Sequence, residues 1–368
     1  MYLKHLHLIN FKNIELAQLQ LNEGINCFIG SNGAGKTNML DAIYYMSFCK
    51  SYFNPVDSQN IRHEHDFFVI QGTYEVNREE EHIYCGFKKG VKKQFKRNKK
   101  EYDKLSNHIG LLPLVMISPQ DERLIVEGSE QRRRYIDSVI SQYDKAYLEH
   151  LINYNKVISQ RNIYLKNLKS LNAQAHEMLD TWDFQILELS KKISNARLQF
   201  LEELKPVFLE MYNFISGDKE VVEFAYKSHL SEADFERALR DCREKDMILG
   251  YSTKGIHKDD VDFKIGGYPI KKMGSQGQKK TFLIALKLGQ FKFLSEHKKR
   301  KPILLLDDIF DKLDSERGDR LIELVGSDFF SQIFITDTQL NRIKPVLKKI
   351  NKESSIFLVE EGEFNKQG

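Results

Sequence analysis

Gly30-Ser31-Asn32-Gly33-Ala34-Gly35-Lys36-Thr37 is a complete G-x-x-x-x-G-K-[ST] loop, and its flanks decide the fold. The run Ile25–Ile29 ahead of it has strand character and stops at Gly30. Behind it, Asn38 to Ser47 places Leu40, Ile43, Tyr44 and Met46 at helix-compatible spacing. In a strand–loop–helix, glycines let successive backbone N–H groups curl around phosphate, and the helix N-terminus adds positive potential. Lys36 then reaches terminal phosphates and Thr37 offers its hydroxyl to Mg2+. Gly30, Ser31, Asn32, Gly33, Ala34, Gly35, Lys36, Thr37 and the following Asn38 are therefore the expected ATP-binding residues.

Far downstream, Lys301-Pro302-Ile303-Leu304-Leu305-Leu306-Asp307-Asp308 has the continuous apolar character of a strand buried on both faces of a parallel sheet. Open α/β sheets place their chemistry at the carboxyl ends of strands, so Asp307 suits the magnesium shell and Asp308 the attacking water. The bland reading is a solvated turn. Before this strand, Gly274-Ser275-Gln276-Gly277-Gln278 opens a helix whose Phe282, Leu283, Ile284, Ala285, Leu286 and Leu288 predict burial on nearly every side. Taken alone, the segment is an ordinary N-cap, although its free N–H groups could also meet a phosphate.

Between Gln120 and Ser275 the character changes. Tyr147, Leu151, Tyr154, Ile158 and Leu165, then Trp182, Ile186, Leu189, Ile193, Ala196 and Phe200, keep heptad-like spacing. These predict two long antiparallel helices turning near 171–180, an arm of roughly 50 Å at 1.5 Å per residue. Lys88, Lys89, Lys92, Lys93, Lys96, Arg97, Lys99 and Lys100 put eight cations in thirteen residues around Gly90. They form either a basic hairpin that touches DNA phosphates or a solvated, self-repelling loop. Arg132-Arg133-Arg134 precedes the first arm helix, where cations oppose the helix dipole, so a phosphate or interdomain partner is expected for Arg132 or Arg133.

The 368 residues allow one large and one smaller domain, and the net charge of +4 decides nothing about partners. Cys27, Cys49, Cys85 and Cys242 are dispersed, without C-x-x-C pairs, which suits a reducing cytoplasm. No apolar run is long enough to span a membrane and no signal-peptide pattern follows Met1, so a soluble cytoplasmic protein without a membrane partner is expected.

In this order, the glycine loop, Ser275-Gln276-Gly277-Gln278, the strand ending in Asp307-Asp308, and Lys312-Leu313-Asp314 resemble ABC ATPase heads of the RecF, SMC and DNA-repair branch. Within that branch the chain resembles the RecF family over essentially its whole length. The likeness is carried by Phe11-Lys12-Asn13, Gly35–Asn38, Gly110–Pro119, Arg132–Asp137, Gly255–Asp260 and Gly274–Gln278. The resemblance implies an α/β fold: an ABC-type head of mixed β-sheet, helices and an antiparallel β subdomain over 1–122 and 248–368, with a helical, coiled-coil-like arm inserted at 123–247. It implies that Ser275, Gln276, Gly277 and Gln278 of one subunit cover the γ-phosphate held by Gly33–Thr37 of another, giving an ATP-dependent homodimer. It implies Gln120 as a lid residue sensing magnesium and water, and Asp314 at the subunit junction. Phe334-Ile335-Thr336-Asp337-Thr338 lacks the histidine that many ABC heads place after the last core strand, and Asp308 stands where transporters carry glutamate. Both departures imply slow, switch-like hydrolysis. The implied role is a clamp on double-stranded DNA or single-strand/double-strand junctions in repair, recombination, replication and the SOS response, with RecR and RecO partners that load recombinase. Another small SMC-like ATPase of DNA metabolism is the nearest alternative. Transporter-type or translation-type ATPases are disfavoured by the absent glutamate and glycine-glycine signature, and a non-catalytic module by the intact Lys36, Thr37, Asp307 and Asp308.

Overall fold

A computed structural model describes the chain apart from residues 169, 218, 219, 232, 233, 311–314, 351 and 368. It separates into two compact units, one of residues 1–121, 210–218 and 280–368, the other of 122–209 and 219–279.

The first unit is built on two six-stranded sheets. One follows the order Glu363–Gln367, Ser354–Glu360, Ile25–Ile29, Ile333–Asp337, Ile303–Asp307, Leu114–Ile117, parallel throughout except for its Glu363–Gln367 edge. Ile25–Ile29, Ile303–Asp307 and Ile333–Asp337 are buried along their whole length, as strands covered on both faces must be. The second sheet is antiparallel, in the order Ile14–Gln20, Tyr2–Phe11, Phe67–Val76, Glu79–Lys88, Gln94–Arg97, Lys100–Glu101. The helix Lys36–Phe48 shares one core with both sheets: Met39, Ile43 and Met46 cluster with Leu6, Phe68 and Ile70 of one and Phe28, Leu305 and Phe334 of the other. That double cover explains why only Thr37 and Asn38 of this helix escape full burial.

The second unit contains the helices Ser129–Tyr143 and Lys145–Asn167, most of Ala173–Ser216, and a small sheet in the order Tyr268–Pro269, Asp260–Ile265, Val222–Lys227. The heptad seam is present, with Tyr147, Tyr154, Leu165, Ile186, Ile193 and Phe200 buried. The second helix begins at Ala173, near the start of the expected turn at 171–180, because Asn172 accepts a hydrogen bond from the Ala175 N–H (2.8 Å). The seam is not purely apolar. Arg161, wholly buried, pairs with Asp183 (2.9 Å) and Asp246 (2.6 Å), and Arg197 pairs with Asp137 (2.9 Å) and Asp259 (3.3 Å). The expected return to the head at residue 248 also differs from the contacts. Asp260–Ile265 pairs with Val222–Lys227, which draws 248–279 into the second unit, while 210–218 falls in the first. Among the described residues no helix is long and apolar enough to cross a membrane.

Candidate nucleotide site and basic surfaces

Gly30 ends its strand with its N–H on the Asp337 carbonyl (3.2 Å), and a Cβ there would fall 2.1 Å from the Val359 carbonyl oxygen, so no side chain fits. Gly33 (φ 83°) and Gly35 (φ 117°) take left-handed conformations that wind the loop into the helix N-terminus at Lys36. The Lys36 ammonium is folded back over the loop, donating to the carbonyls of Gly30 (2.9 Å) and Ser31 (3.0 Å). Asn13 braces the other side: its amide donates to the Gly33 carbonyl (3.1 Å) and its oxygen accepts from Asn38 (2.7 Å). Ser31, Asn32 and Gly33 are exposed, whereas Ala34 is buried and its carbonyl accepts from the Gly362 N–H (2.8 Å).

Thr37 Oγ1 donates to Asp307 Oδ1 (2.8 Å), which joins the two halves of the site that the sequence separates by 270 residues. Asp307 Oδ1 also accepts from Thr336 Oγ1 (2.9 Å), and Ser118 Oγ lies 3.4 Å from Oδ2. Burial pushes the Asp307 carboxyl above the usual carboxylate range, and the Thr37 and Thr336 hydroxyls act against that shift. Asp308 sits in the left-handed region (φ 46°) and its N–H donates to Thr336 Oγ1 (2.9 Å). The chain thus turns sharply just past the buried strand, a costly conformation that concentrates at functional sites.

Gln120 lies on the 3₁₀ turn Pro119–Glu122, half-buried, with its N–H 3.4 Å from Ser118 Oγ. Parallel pairing of Ile117 with Leu306 brings this turn out beside Asp307. In the segment Phe334–Thr338, which lacks the histidine, Asp337 is buried and accepts from the Gln339 N–H (2.8 Å), and burial raises its carboxyl above the usual range. An inward-winding loop, an ammonium, and a hydroxyl–carboxylate pair at one strand end have the chemistry that ATP with magnesium calls for: Gly30–Asn38 would hold the nucleotide, and Thr37 and Asp307 the metal. Sequence reasoning missed Ser118, Thr336 and Asn13 as members of this site.

Ser275 and Gln278 form a reciprocal capping box: Ser275 Oγ accepts from the Gln278 N–H (3.2 Å) and Gln278 Oε1 from the Ser275 N–H (2.7 Å). Gln278 also donates to Glu220 (2.7 Å), leaving Ser275 and Gln276 exposed and Gly277 partly so. Farther along the helix Gln276–Lys298, every residue from Thr281 to Phe291 is buried, as its composition predicts. Asp314 lies outside the described residues.

The basic elements are partly engaged within the fold. The hairpin exists, but Lys93 donates to Asp57 (2.8 Å), the Cys49 carbonyl (2.8 Å) and Tyr45 (2.9 Å), with a side chain only 12% exposed. Arg97 forks onto Glu81, with Nε 2.8 Å from Oε2. Lys96 lies over the Tyr84 ring, at 5.4 Å, and Lys92 is exposed. Lys93 and Arg97 are thus held by carboxylates of their own fold. Arg132 grips both oxygens of Asp260 (2.6 and 3.0 Å), and Arg133 donates to the Asp259 carbonyl (2.5 Å) while burial lowers its pKa. These two arginines tie Ser129–Tyr143 to the strand Asp260–Ile265, which supplies the opposing charge that the helix dipole withholds.

A family model described as the RecF/RecN/SMC N terminal domain matches residues 2–364. The chain is 51% identical to the DNA replication and repair protein RecF of Phocaeicola vulgatus, covering 100% of this chain and 99% of the relative. It is 50% identical, with the same coverage, to that of Bacteroides thetaiotaomicron. A solved structure of the recombination mediator protein RecF-ATP in the RecFOR pathway superposes with a TM-score of 0.90 at 28% identity, covering 100% of this chain and 98% of the other. An Smc head bound to the C-winged helix domain of ScpA, at a TM-score of 0.59 and 15% identity, shares the fold.

Proposed function

The chain belongs to the RecF family of DNA replication and repair proteins, within the RecF/RecN/SMC class of ABC-type ATPases, and from this we propose that it is a slow ATPase that closes as a dimer on DNA when ATP is bound. The observation that carries the reading is the Thr37–Asp307 contact beneath the folded Lys36 ammonium. Lys36 would leave the Gly30 and Ser31 carbonyls to pair with terminal phosphates. Magnesium held by Thr37 and Asp307, with Gln120 near it, would neutralise phosphate charge. Asp308 would orient the attacking water, and its short side chain, with no histidine beside it, favours slow turnover. Ser275, Gln276, Gly277 and Gln278 would complete the site of a second copy with exposed groups at a helix N-terminus.

Lys92, exposed in the turn between Glu79–Lys88 and Gln94–Arg97, is the better candidate for phosphate contact on double-stranded DNA or a single-strand/double-strand junction. RecR- and RecO-type proteins are the expected partners, since the similar RecF structure is placed in the RecFOR pathway. Four free, buried cysteines suit the cytoplasm. The test is duplex DNA affinity with and without ATP. We expect ATP to tighten binding about tenfold or more, ~1.4 kcal/mol, and to steepen the salt dependence as two subunits engage one duplex. Lys36→Met should abolish the ATP effect, and an identical ATP response in that variant contradicts the reading.

A further inference from the structure

We propose that Lys287 is a positioning residue for ATP turnover: through Asp121 it fixes the Ser118–Gln120 turn against Asp307, linking the helix that starts at the Ser275–Gln278 segment to the magnesium carboxylate. The inference rests on the proposed roles of Asp307 and of that segment. Lys287 stands on the helix Gln276–Lys298, about three turns from its start, within a stretch that is otherwise core. Its side chain is 7% exposed and its ammonium lies 2.7 Å from Asp121 Oδ1, a carboxylate 4% exposed. A buried ion pair confers little net stability over apolar residues of the same shape, so its presence in a helix this apolar calls for another reason.

The surroundings of Asp121 supply that reason. Oδ1 also accepts from the Tyr52 hydroxyl (2.5 Å), and Oδ2 accepts from the Ser118 N–H (2.8 Å). The Asp121 N–H returns to the Ser118 carbonyl (3.0 Å), so this carboxylate closes the lid turn on itself. Ser118 Oγ then reaches Asp307 Oδ2 (3.4 Å), with the Gln120 N–H at the same distance from that hydroxyl. A second branch runs from Tyr52, whose N–H donates to Asp41 Oδ1 (2.7 Å) on the phosphate-loop helix, and Asp41 pairs with Lys12 (2.5 Å) in the turn before the loop. One dehydrated ion pair thereby holds the lid turn, the phosphate-loop helix and the Gln276–Lys298 helix together. Because charge-assisted bonds weaken steeply with misalignment, displacing that helix by about an ångström is felt at Ser118.

The test is ATP binding and turnover in Lys287→Met/Asp121→Asn, which removes both charges and leaves no unpaired buried ion. We expect kcat to fall about tenfold or more with KM within about twofold, the signature of lost transition-state positioning. The unfolding midpoint should stay near the parental one, and Lys287→Arg should restore most of kcat. Ser118→Ala cuts the same path with a single oxygen removed. Combined with the double substitution it should add little further loss, because groups acting in series are not additive. Parental kcat in the double variant, an effect on KM alone, or full additivity with Ser118→Ala would overturn the proposal. Absence of ATP-driven self-association in the parental protein would instead remove the dimer reading and leave this turnover test standing.

Discussion

Thr336 ties together the two residues of the strand end: its hydroxyl donates to the Asp307 carboxylate at Oδ1 and accepts from the Asp308 backbone N–H, each at 2.9 Å. Thr336→Val keeps the shape and removes both bonds, leaving the Asp308 N–H without this acceptor. That should cost about 1–3 kcal/mol of stability. Turnover should fall by about one to two decades, ~1.4–2.7 kcal/mol of barrier, while ATP binding persists. Parental turnover measured in a variant that binds ATP normally would show that the hydroxyl aligns nothing. Lys36, Thr37 and Asp307 were legible because phosphate and magnesium impose fixed residue types at fixed spacing. Thr336 and Ser118 were not, because they reach Asp307 only through parallel register, Ile117 beside Leu306 and Leu306 beside Ile335. Nothing in an isolated stretch of sequence states which strands will be neighbours.

At the scale of elements, apolar periodicity carried the reading of strands, the phosphate-loop helix and the arm, since burial on a defined face is what periodicity encodes. Charge patterning carried less. A run of cations looks the same whether it faces solvent or the carboxylates of another strand, and the acids that hold Lys93 and Arg97 are Asp57 and Glu81, distant in sequence. The hairpin therefore divides into two kinds of lysine. Lys93→Ala should lower stability by about 2–4 kcal/mol, because Asp57 then loses its charged partner in a largely buried setting. Lys92→Ala should leave the thermal midpoint unchanged and make the salt slope of duplex DNA binding shallower by about 0.9 per subunit engaged. Equal thermal midpoints for the two variants would contradict the division. The arm shows the same limit, since a heptad pattern marks its seam but gives no sign that Arg161 and Arg197 are buried within it.

Over the whole chain, the loop Gly30–Thr37 belongs to one compact unit and the Ser275–Gln278 segment to the other. This division did not follow from motif order, because Asp260–Ile265 joins a strand from inside the expected insert. In the proposed function, ATP joins two copies through that segment. Sedimentation of Asp308→Asn with and without ATP, alone and combined with Ser275→Arg, tests it most directly. Asp308→Asn keeps the site's shape without the carboxylate, so it should bind ATP and accumulate as a dimer. Adding Ser275→Arg should leave ATP affinity within about twofold, less than ~0.5 kcal/mol, yet keep the protein monomeric. A monomer whose ATP affinity collapses, or a dimer that forms as before, would rule out completion of one copy's site by the other copy's Ser275–Gln278 segment.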